Sequence, residues 1–240
     1  MGNLVFRRKE QKYLLDDRQR RAFIEQMEVH MQPDKYPRSS IRNIYYDTPD
    51  YRLIRRSLEK PVYKEKLRLR SYGVVTEDTD VFLEMKKKYK GVVYKRRVGV
   101  SEEEAKAFME RLAGLPKDNQ IAREMIYFRD FYESLAPRVY LCYEREAWYD
   151  PVDSGFRMTL DRNICYRTTD LSLALPCGGK KILPDHMSLL EVKASGGIPM
   201  WLTEHLSRNH IHKQSFSKYG RAYMELLEER LSESRGLSYA

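Results

Sequence analysis

The feature that most constrains the fold is a two-residue alternation of charged and apolar side chains. From Lys66 to Arg70 every second residue is basic, and the residues between them are leucines. Related alternation occurs in four other segments, 80–88, 92–100, 138–149 and 188–194. Because side chains along a β-strand point alternately to its two faces, each segment predicts a strand with one charged and one apolar face.

The predicted elements indicate an α+β fold dominated by strands. Strands are expected at Val5–Leu15, Ile41–Asp47, Tyr63–Tyr72, Asp80–Lys88, Val92–Val100, Arg138–Tyr149, Phe156–Asp161, Asn163–Tyr166 and Ser188–Ala194. Helices are expected at Arg18–Met31, Tyr51–Ser57, from the cap Ser101 to Gly114, at Gln120–Ser134, Met200–Ser207 and Ser217–Leu231, and a long loop at Pro176–Pro184. Short connections favour an antiparallel sheet, which could close into a barrel.

The formal net charge of +9 favours an acidic partner, whether nucleic acid, an anionic membrane or a phosphorylated substrate. A half-exposed sheet is ordinarily polar on one face, which is the simplest interpretation of the alternation. However, like charges opposite each other on neighbouring strands repel. A face that gathers cations therefore predicts that an anion binds there.

The three cysteines, Cys142, Cys165 and Cys177, are widely spaced and match no zinc-binding pattern. They favour a reducing compartment over a disulfide framework. No apolar run approaches the roughly 18 residues that span a bilayer, and the N-terminus lacks a signal-peptide core. We therefore expect a cytoplasmic protein without a membrane span of its own, folded as a single domain over residues 1–240 with a core at about 5–230.

The triplet Glu-x-Lys occurs three times on predicted strands, beginning at Glu10, Glu84 and Glu191. Each triplet places a carboxylate and an ammonium group on one strand face. A carboxylate can hold a hard cation such as Mg²⁺ or Mn²⁺, and the ammonium group can hold a phosphate oxygen. The repetition therefore indicates a site for a metal–polyphosphate complex.

These segments resemble the VTC domain, the polyphosphate polymerase domain of the CYTH or triphosphate tunnel metalloenzyme superfamily. The matching motifs lie in the family's order within about residues 5–225: RKEQKYLL at 8–15, IYYDTP at 44–49, KLRLRSYG at 66–73, FLEMK at 82–86, YER at 143–145, LEVK at 190–193 and FSKY at 216–219. The resemblance implies an eight-stranded antiparallel barrel whose interior is a charged tunnel flanked by helices. The cationic face then lines the tunnel, and the apolar face lies under the helices.

The resemblance also assigns roles to residues. Catalytic cations that hold the phosphates are expected at Lys12, Arg68, Arg70, Lys86, Arg145 and Lys193. Further substrate-binding residues are expected at Arg8, Lys95, Arg97, Tyr143, Lys213 and Lys218, with one arginine after the Tyr-Asp turn, either Arg55 or Arg56. Glu191 is expected to be the main ligand of Mg²⁺ or Mn²⁺, with Glu10 and Glu84 as helpers.

The leading hypothesis is a metal-dependent polymerase that transfers the γ-phosphoryl group of ATP to a growing polyphosphate chain. A hydrolase in the same tunnel, acting on tripolyphosphate or nucleoside triphosphates, is the first alternative. A non-catalytic module that binds polyphosphate or inositol phosphates is the second. Nucleic-acid binding would need an exposed basic patch with interleaved aromatic residues and is not expected. Export of the product would require a separate membrane partner.

Overall fold

The computed structural model describes residues 9–76, 79–116 and 118–236. Its strands are β1 (Lys9–Asp16), β2 (Gln32–Asp47), β3 (Tyr63–Tyr72), β4 (Val81–Tyr89), β5 (Val92–Val100), β6 (Ala136–Tyr149), β7 (Arg157–Arg167), β8 (Lys180–Lys181) and β9 (Met187–Ala194). Its helices are α1 (Asp17–His30), α2 (Arg52–Leu58), α3 (Glu102–Met109), α4 (Gln120–Tyr132), α5 (Met200–Arg208) and α6 (Lys218–Gly236). None of the described helices combines the length and apolar character needed to cross a bilayer.

The strands are hydrogen-bonded in the order β1-β9-β7-β6-β2-β3-β4-β5, and the short β8 pairs with β7. The pairs β1–β9, β7–β9, β3–β4 and β4–β5 are antiparallel. The α+β class and the antiparallel sheet with flanking helices are therefore confirmed. Within the described part of the chain this order has two end strands, β1 and β5, and so it does not confirm a closed barrel.

The chain forms two compact units. Unit 1 comprises Met1–Ile41, Cys142–Cys165 and Leu183–Ser215, and unit 2 comprises Arg42–Leu141, Tyr166–Ile182 and Phe216–Ala240. The single domain predicted over residues 1–240 stays a prediction.

Unit 1 buries its apolar strand residues under α1 and α5. Tyr13, Leu190 and Leu160 lie in register on β1, β9 and β7, and they belong to one core with Phe23 and Leu202 from the two helices. Helix α1 begins where Asp16 accepts a hydrogen bond from the backbone N–H of Gln19, whose side chain bonds back to the Asp16 backbone. At this capping box β1 ends and the chain continues as α1, which covers the apolar face of the strands.

Unit 2 follows the same logic. Leu67, Leu83 and Val98 on β3, β4 and β5 are buried, as are Phe108 of α3 and Phe128 of α4. Helix α3 begins with a second capping box, formed by Ser101 and Glu104 as the sequence predicts. The apolar parity of these strands is confirmed, and it leaves the opposite face to the charged residues.

Three predictions about strands were wrong in detail. Strand β2 begins at Gln32, not Ile41, because its first half is polar and largely exposed and carries no alternating signal. The two strands expected at Phe156–Asp161 and Asn163–Tyr166 are one strand, β7, whose Asn163 takes a left-handed conformation (φ 50°) without ending it. The loop expected at Pro176–Pro184 contains β8. Residues 5–8 of the first predicted strand lie outside the described residues.

Candidate functional site

In unit 2 the three strands β3, β4 and β5 carry a continuous charged surface, here called the cationic face. Directly paired residues of antiparallel strands share a face. Lys66, Lys86 and Lys95 form one row across the strands, and Arg68, Glu84 and Arg97 form the next. The strand register gives this face eight basic residues and one carboxylate: Lys64, Lys66, Arg68, Arg70, Lys86, Lys88, Lys95, Arg97 and Glu84.

Glu84 lies at the centre of this face, and its side chain is only 1% exposed. Arg68 Nη2 lies 2.7 Å from Glu84 Oε2, and Lys95 Nζ lies 2.6 Å from Glu84 Oε1. Arg70 and Arg97 approach the same carboxylate at 3.7 and 3.8 Å. Burial favours a raised pKa for Glu84, but the charges of Arg68, Arg70 and Lys95 outweigh burial and lower this pKa to about 2. Glu84 is therefore ionised, and it holds the arginine side chains in place.

One carboxylate does not balance the positive charge around it. Burial, and then the charges of Lys88 and Lys86, lower the pKa of Lys64. The pKa of Lys95 is also lowered, because its burial outweighs the stabilising charge of Glu84. A bound anion would relieve this repulsion, which is the behaviour expected of a phosphate-binding surface.

Two stacked tyrosines support Arg68 from beside the face. The Tyr45 hydroxyl accepts a hydrogen bond from Arg68 Nη1 at 3.2 Å. Its ring stacks on Tyr219, with the centroids 4.4 Å apart. The Tyr219 hydroxyl in turn donates to Asp47 Oδ2 at 2.9 Å. Asp47 also accepts hydrogen bonds from backbone N–H groups near the start of α2, so these contacts connect Arg68 to a helix end.

The Tyr45 hydroxyl responds to the field of this face. Burial alone would raise the pKa of Tyr45, but the charges of Arg68, Lys66 and Arg70 outweigh burial and lower it to about 8. An ordinary tyrosine titrates near 10. Tyr45 is therefore a sensitive indicator of how much positive charge the face carries.

The start of α6 also lies at the cationic face. Lys66 Nζ donates a hydrogen bond to Ser217 Oγ at 3.3 Å. The same ammonium group lies 5.8 Å from the centroid of the Tyr219 ring. Lys218, a predicted substrate-binding residue, lies between these two positions in sequence and is 9% exposed.

Unit 1 contains a second charged group of side chains, here called the paired cluster and formed by Glu10, Lys12, Arg145, Asp161 and Glu191. Arg145 binds both oxygens of Asp161 in a bidentate pair, with both distances 2.6 Å. Arg145 Nη2 also lies 3.0 Å from Glu191 Oε2. Lys12 Nζ lies 3.2 Å from Glu191 Oε1 and 3.3 Å from Glu10 Oε1. Here each cation has carboxylate partners.

Arg145 is held firmly in its charged form. Although burial opposes the charge, Tyr143, Asp161 and Glu191 raise the pKa of Arg145 well above its ordinary value. The guanidinium carbon also lies 5.2 Å from the centroid of the Tyr143 ring, in a cation–π contact. Tyr143, predicted as a substrate-binding residue, therefore lies beside the predicted catalytic Arg145.

The carboxylates differ in how well they fit a divalent metal. Glu10 and Glu191 already converge on one cationic centre, Lys12 Nζ, and their oxygen donors are those that Mg²⁺ and Mn²⁺ prefer. Glu84 fits poorly, because four basic side chains already surround it. Across the described residues, no three His, Cys, Asp or Glu side chains form a group that could hold a metal ion. The metal-binding roles of the three glutamates stay predictions.

The remaining predicted residues lie in different places. Lys193 is in register with Glu10 on β1 and therefore lies on the face of the paired cluster. The backbone of Lys213 bridges to Tyr13, and its side chain is exposed. Arg56 lines a cavity on the opposite side of β3 and β4 from the cationic face. Arg8 lies outside the described residues. The catalytic role of Lys193 and the substrate-binding roles of Lys213, Arg56 and Arg8 stay predictions.

Sequence reasoning missed three residues, one in the paired cluster and two beside the cationic face. Asp161 was placed only at the end of a strand, although it is the bidentate partner of Arg145. Tyr45 and Tyr219 belong to matched motifs but received no role. A signal was available for Tyr45, because alternation along β2 places it on the same face as Asp47, two residues later.

The fold is shared with solved structures. A protein of Bacillus halodurans, bh2851, provisionally described as an adenylate cyclase, matches with a TM-score of 0.53 and 16% identity over 90% of this chain and 96% of its own. The Hippeastrum protein HpAC1, provisionally called an adenylyl cyclase and described as having a dominant triphosphatase activity, matches with a TM-score of 0.50 and 14% identity. That match covers 88% of this chain and 92% of HpAC1. The comparison with curated protein sequences returns no match.

The α+β fold, an antiparallel sheet with flanking helices, is therefore the fold of these two proteins. The model of the VTC domain family matches residues 7–227. The chain therefore belongs to the VTC domain family.

Proposed function

We propose that this VTC domain is a polyphosphate polymerase that transfers the γ-phosphoryl group of ATP to a growing polyphosphate chain. The cationic face is the observation that carries the proposal. Within each row the side chains lie on adjacent strands, which are spaced about 4.7–4.9 Å apart. An extended polyanion would contact successive rows, and its charge would balance the excess that Glu84 leaves.

The basic residues divide into two chemical roles. Arg68, Arg70 and Arg97 offer planar guanidinium groups that bind phosphate oxygens in bidentate fashion. Lys86 and Lys95 act as point charges whose position along the chain is less restricted. This combination suits a polymer that must be held tightly near the reacting phosphate and still advance after each addition.

The reaction depends on alignment and charge neutralisation more than on proton transfer. A terminal oxygen of the acceptor chain attacks the γ-phosphorus of ATP, a new P–O bond forms, and the bond to the β–γ bridging oxygen breaks to release ADP. Because the acceptor oxygen is already ionised, no general base is required. The arginines would stabilise the charge that spreads over the transferring oxygens.

We assign the paired cluster to metal binding. Glu191 and Glu10 would hold Mg²⁺ or Mn²⁺ together, while Lys12 and Arg145 would bind phosphate oxygens and fix the carboxylates. A metal bound there would neutralise negative charge on the phosphate oxygens. The eight-stranded barrel around a tunnel and the single domain over residues 1–240 belong to the same proposal.

A hydrolase in the same fold is the second candidate, and the triphosphatase activity described for HpAC1 favours it. In that case water replaces the phosphate acceptor, and Glu10, whose side chain is 35% exposed, would orient it. A binding module for polyphosphate or inositol phosphates is the third candidate. We propose ATP and polyphosphate as ligands and no nucleic-acid partner. We also propose a cytoplasmic location, in keeping with three widely spaced cysteines, and a separate membrane partner if the product is exported.

Product analysis separates the three candidates. Purified protein is incubated with ATP and Mn²⁺, and the products are resolved by gel electrophoresis and phosphate release. Long chains support the polymerase, whereas free phosphate alone supports the hydrolase and rejects the polymerase. Retained polyphosphate binding without turnover supports the binding module.

A pair of variants tests the location of the site. Arg70→Ala should abolish turnover, while Arg123→Ala should not, because Arg123 is an exposed residue of α4 paired with Asp118. Circular dichroism verifies that both variants fold. Full activity of folded Arg70→Ala would reject the assignment to the cationic face.

A further inference from the structure

A cavity of about 280 Å³ lies in unit 2, between α4, α2 and the face of β3 and β4 opposite the cationic face. Five of its eight lining residues are aromatic: the full set is Arg56, Tyr63, Glu65, Lys87, Tyr127, Phe128, Phe131 and Tyr132. The proposed phosphoryl transfer does not use this cavity, apart from the predicted role of Arg56.

The hydrogen-bonded carboxylate of Glu65 closes the inner wall of the cavity. Glu65 is 8% exposed and accepts two hydrogen bonds, from the Tyr63 hydroxyl at 2.5 Å and from the Tyr132 hydroxyl at 2.6 Å. Burial and the bond to Glu65 raise the pKa of both tyrosines. Because the hydroxyls are turned to Glu65, the tyrosine rings offer chiefly their apolar surfaces to a ligand.

The outer wall exposes aromatic rings to water. Tyr127 is 67% exposed and Phe131 is 53% exposed. Their rings are close to parallel, at 23°, with centroids 6.1 Å apart. Covering such rings with another planar group is favourable, because it removes their apolar surface from water. An exposed aromatic wall beside a cavity is therefore typical of a ligand site rather than of a solvated helix face.

Two cations supply the polar part of the site. Arg56 is exposed and forms no hydrogen bond or ion pair with any residue that the structure describes. Lys87 Nζ lies 3.9 Å from Glu124 Oε2, but Glu124 is also bound by Arg96 at 3.2 Å. The carboxylates of Glu65 and Glu124 stand against the three cations Arg56, Lys87 and Arg96, so the positive charge at the cavity is only partly compensated.

We propose that this cavity binds a small planar aromatic anion, with the ring against the tyrosine and phenylalanine side chains and the anionic group on Arg56 and Lys87. The volume is close to the lower limit of about 300 Å³ for small-molecule pockets, which suits one ring system with one charged substituent. A nucleoside monophosphate and a simpler aryl phosphate share this chemistry. The proposal shares only Arg56 with the polymerase hypothesis and does not depend on phosphoryl transfer.

Calorimetric titration of the whole chain with phenyl phosphate tests the proposal, with tripolyphosphate present in excess to occupy the cationic face. AMP, adenosine and inorganic phosphate are titrated in parallel. Phenyl phosphate or AMP should bind at least about tenfold more tightly than inorganic phosphate or adenosine, because each control lacks one half of the recognition. Tighter binding of AMP than of phenyl phosphate would identify a nucleotide site, and the reverse would identify a simpler aryl anion. Equal binding of phenyl phosphate, AMP and inorganic phosphate would overturn the proposal.

Variants locate the binding. Arg56→Gln should weaken phenyl phosphate binding about tenfold, the value of one charge-assisted contact. Tyr127→Ala should weaken it also, and its exposed side chain can be removed without loss of the fold. Arg123→Gln is the matched control, because the exposed Arg123 of α4 pairs with Asp118 and does not line the cavity. Unchanged binding by folded Arg56→Gln and Tyr127→Ala would place the ligand elsewhere and reject this site.

Discussion

The cationic face of unit 2 and the paired cluster of unit 1 start from the same strand alternation and reach opposite electrostatic outcomes. On β3, β4 and β5 one carboxylate, Glu84, lies among eight basic residues and contacts four of them. In the paired cluster, Lys12 and Arg145 share three carboxylates. The positive charge behind the net +9 is therefore unevenly distributed, with far more on the cationic face than in the paired cluster. The two regions suit different ligands.

The largest expected effect comes from removing the equivalent charge in each region. Glu191→Gln should lower metal-dependent turnover on the order of 100-fold, because it removes the assigned metal ligand. Glu84→Gln should leave the dependence of turnover on Mn²⁺ concentration unchanged, because cations occupy the Glu84 oxygens. The measurement is turnover against Mn²⁺ concentration for both variants. A rightward shift for Glu84→Gln with none for Glu191→Gln would reverse the assignment.

A smaller effect is expected on the stability of the cationic face. Glu84→Gln leaves several basic side chains without their buried partner and should lower the free energy of unfolding by about 2 kcal/mol, after allowance for the partial exposure of those cations. Tripolyphosphate should restore much of the loss by supplying the missing negative charge. Thermal unfolding with and without tripolyphosphate measures this effect. Failure of the anion to stabilise the variant more than the native chain would contradict an anion-binding face.

The pH dependence of unfolding gives the sign of the Glu84 contribution. The pKa of this carboxyl is lowered in the folded protein to about 2, from an ordinary value of 4.5. Its ionised form therefore contributes stability above pH 4.5, and that contribution is lost as the pH falls from about 4.5 through 2. Denaturant unfolding at several acidic pH values should show a smaller pH dependence for Glu84→Gln than for the native chain.

How much could be predicted from the sequence depended on how regular the local pattern was. The bounds of β3 and β5 were predicted without error, because Leu67 and Leu69 alternate with basic residues on β3 and Gly91 marks the turn that joins β4 to β5. The first half of β2 was missed, because polar residues and prolines occupy both of its faces. Alternation is a strong signal only where one face is buried.

The candidate site shows a second limit of sequence reasoning. Alternation predicts the face on which Arg145 lies, but it does not predict that Asp161 is its bidentate partner, because register between strands is set by packing across the sheet. Arg56 lies on α2, a helix of seven residues, where no strand parity applies. Its location beside Glu65 rather than Glu84 could not be inferred from spacing.

The two faces of a single strand give a more local test. Arg97 belongs to the cationic face, and its neighbour Arg96 points to the other side, where it binds Glu124. Arg97→Gln should weaken polyphosphate binding about fivefold and reduce its salt dependence, because a phosphate contact is lost. Arg96→Gln should change neither. Fluorescence anisotropy of labelled polyphosphate at several salt concentrations measures both, and equal losses would show that binding is not confined to one face.

The smallest expected effect concerns Tyr45, which reports the charge of the cationic face. Because a bound polyphosphate neutralises Arg68, Lys66 and Arg70, it should raise the pKa of Tyr45 from about 8 towards its ordinary value. Binding then takes up a proton, so affinity falls as the pH rises through 8, and a shift of about half a pKa unit corresponds to a fall of about threefold at most. Tyr45→Phe removes this part of the pH dependence. The fall in affinity that arises from titration of the lysines and of the ligand itself remains. Tripolyphosphate affinity is measured for both proteins from pH 7 to about pH 9, where phenolate absorbance also follows the tyrosine directly. Identical pH profiles would mean that the anion does not bind near Arg68, and the paired cluster would then become the better candidate for the phosphate site.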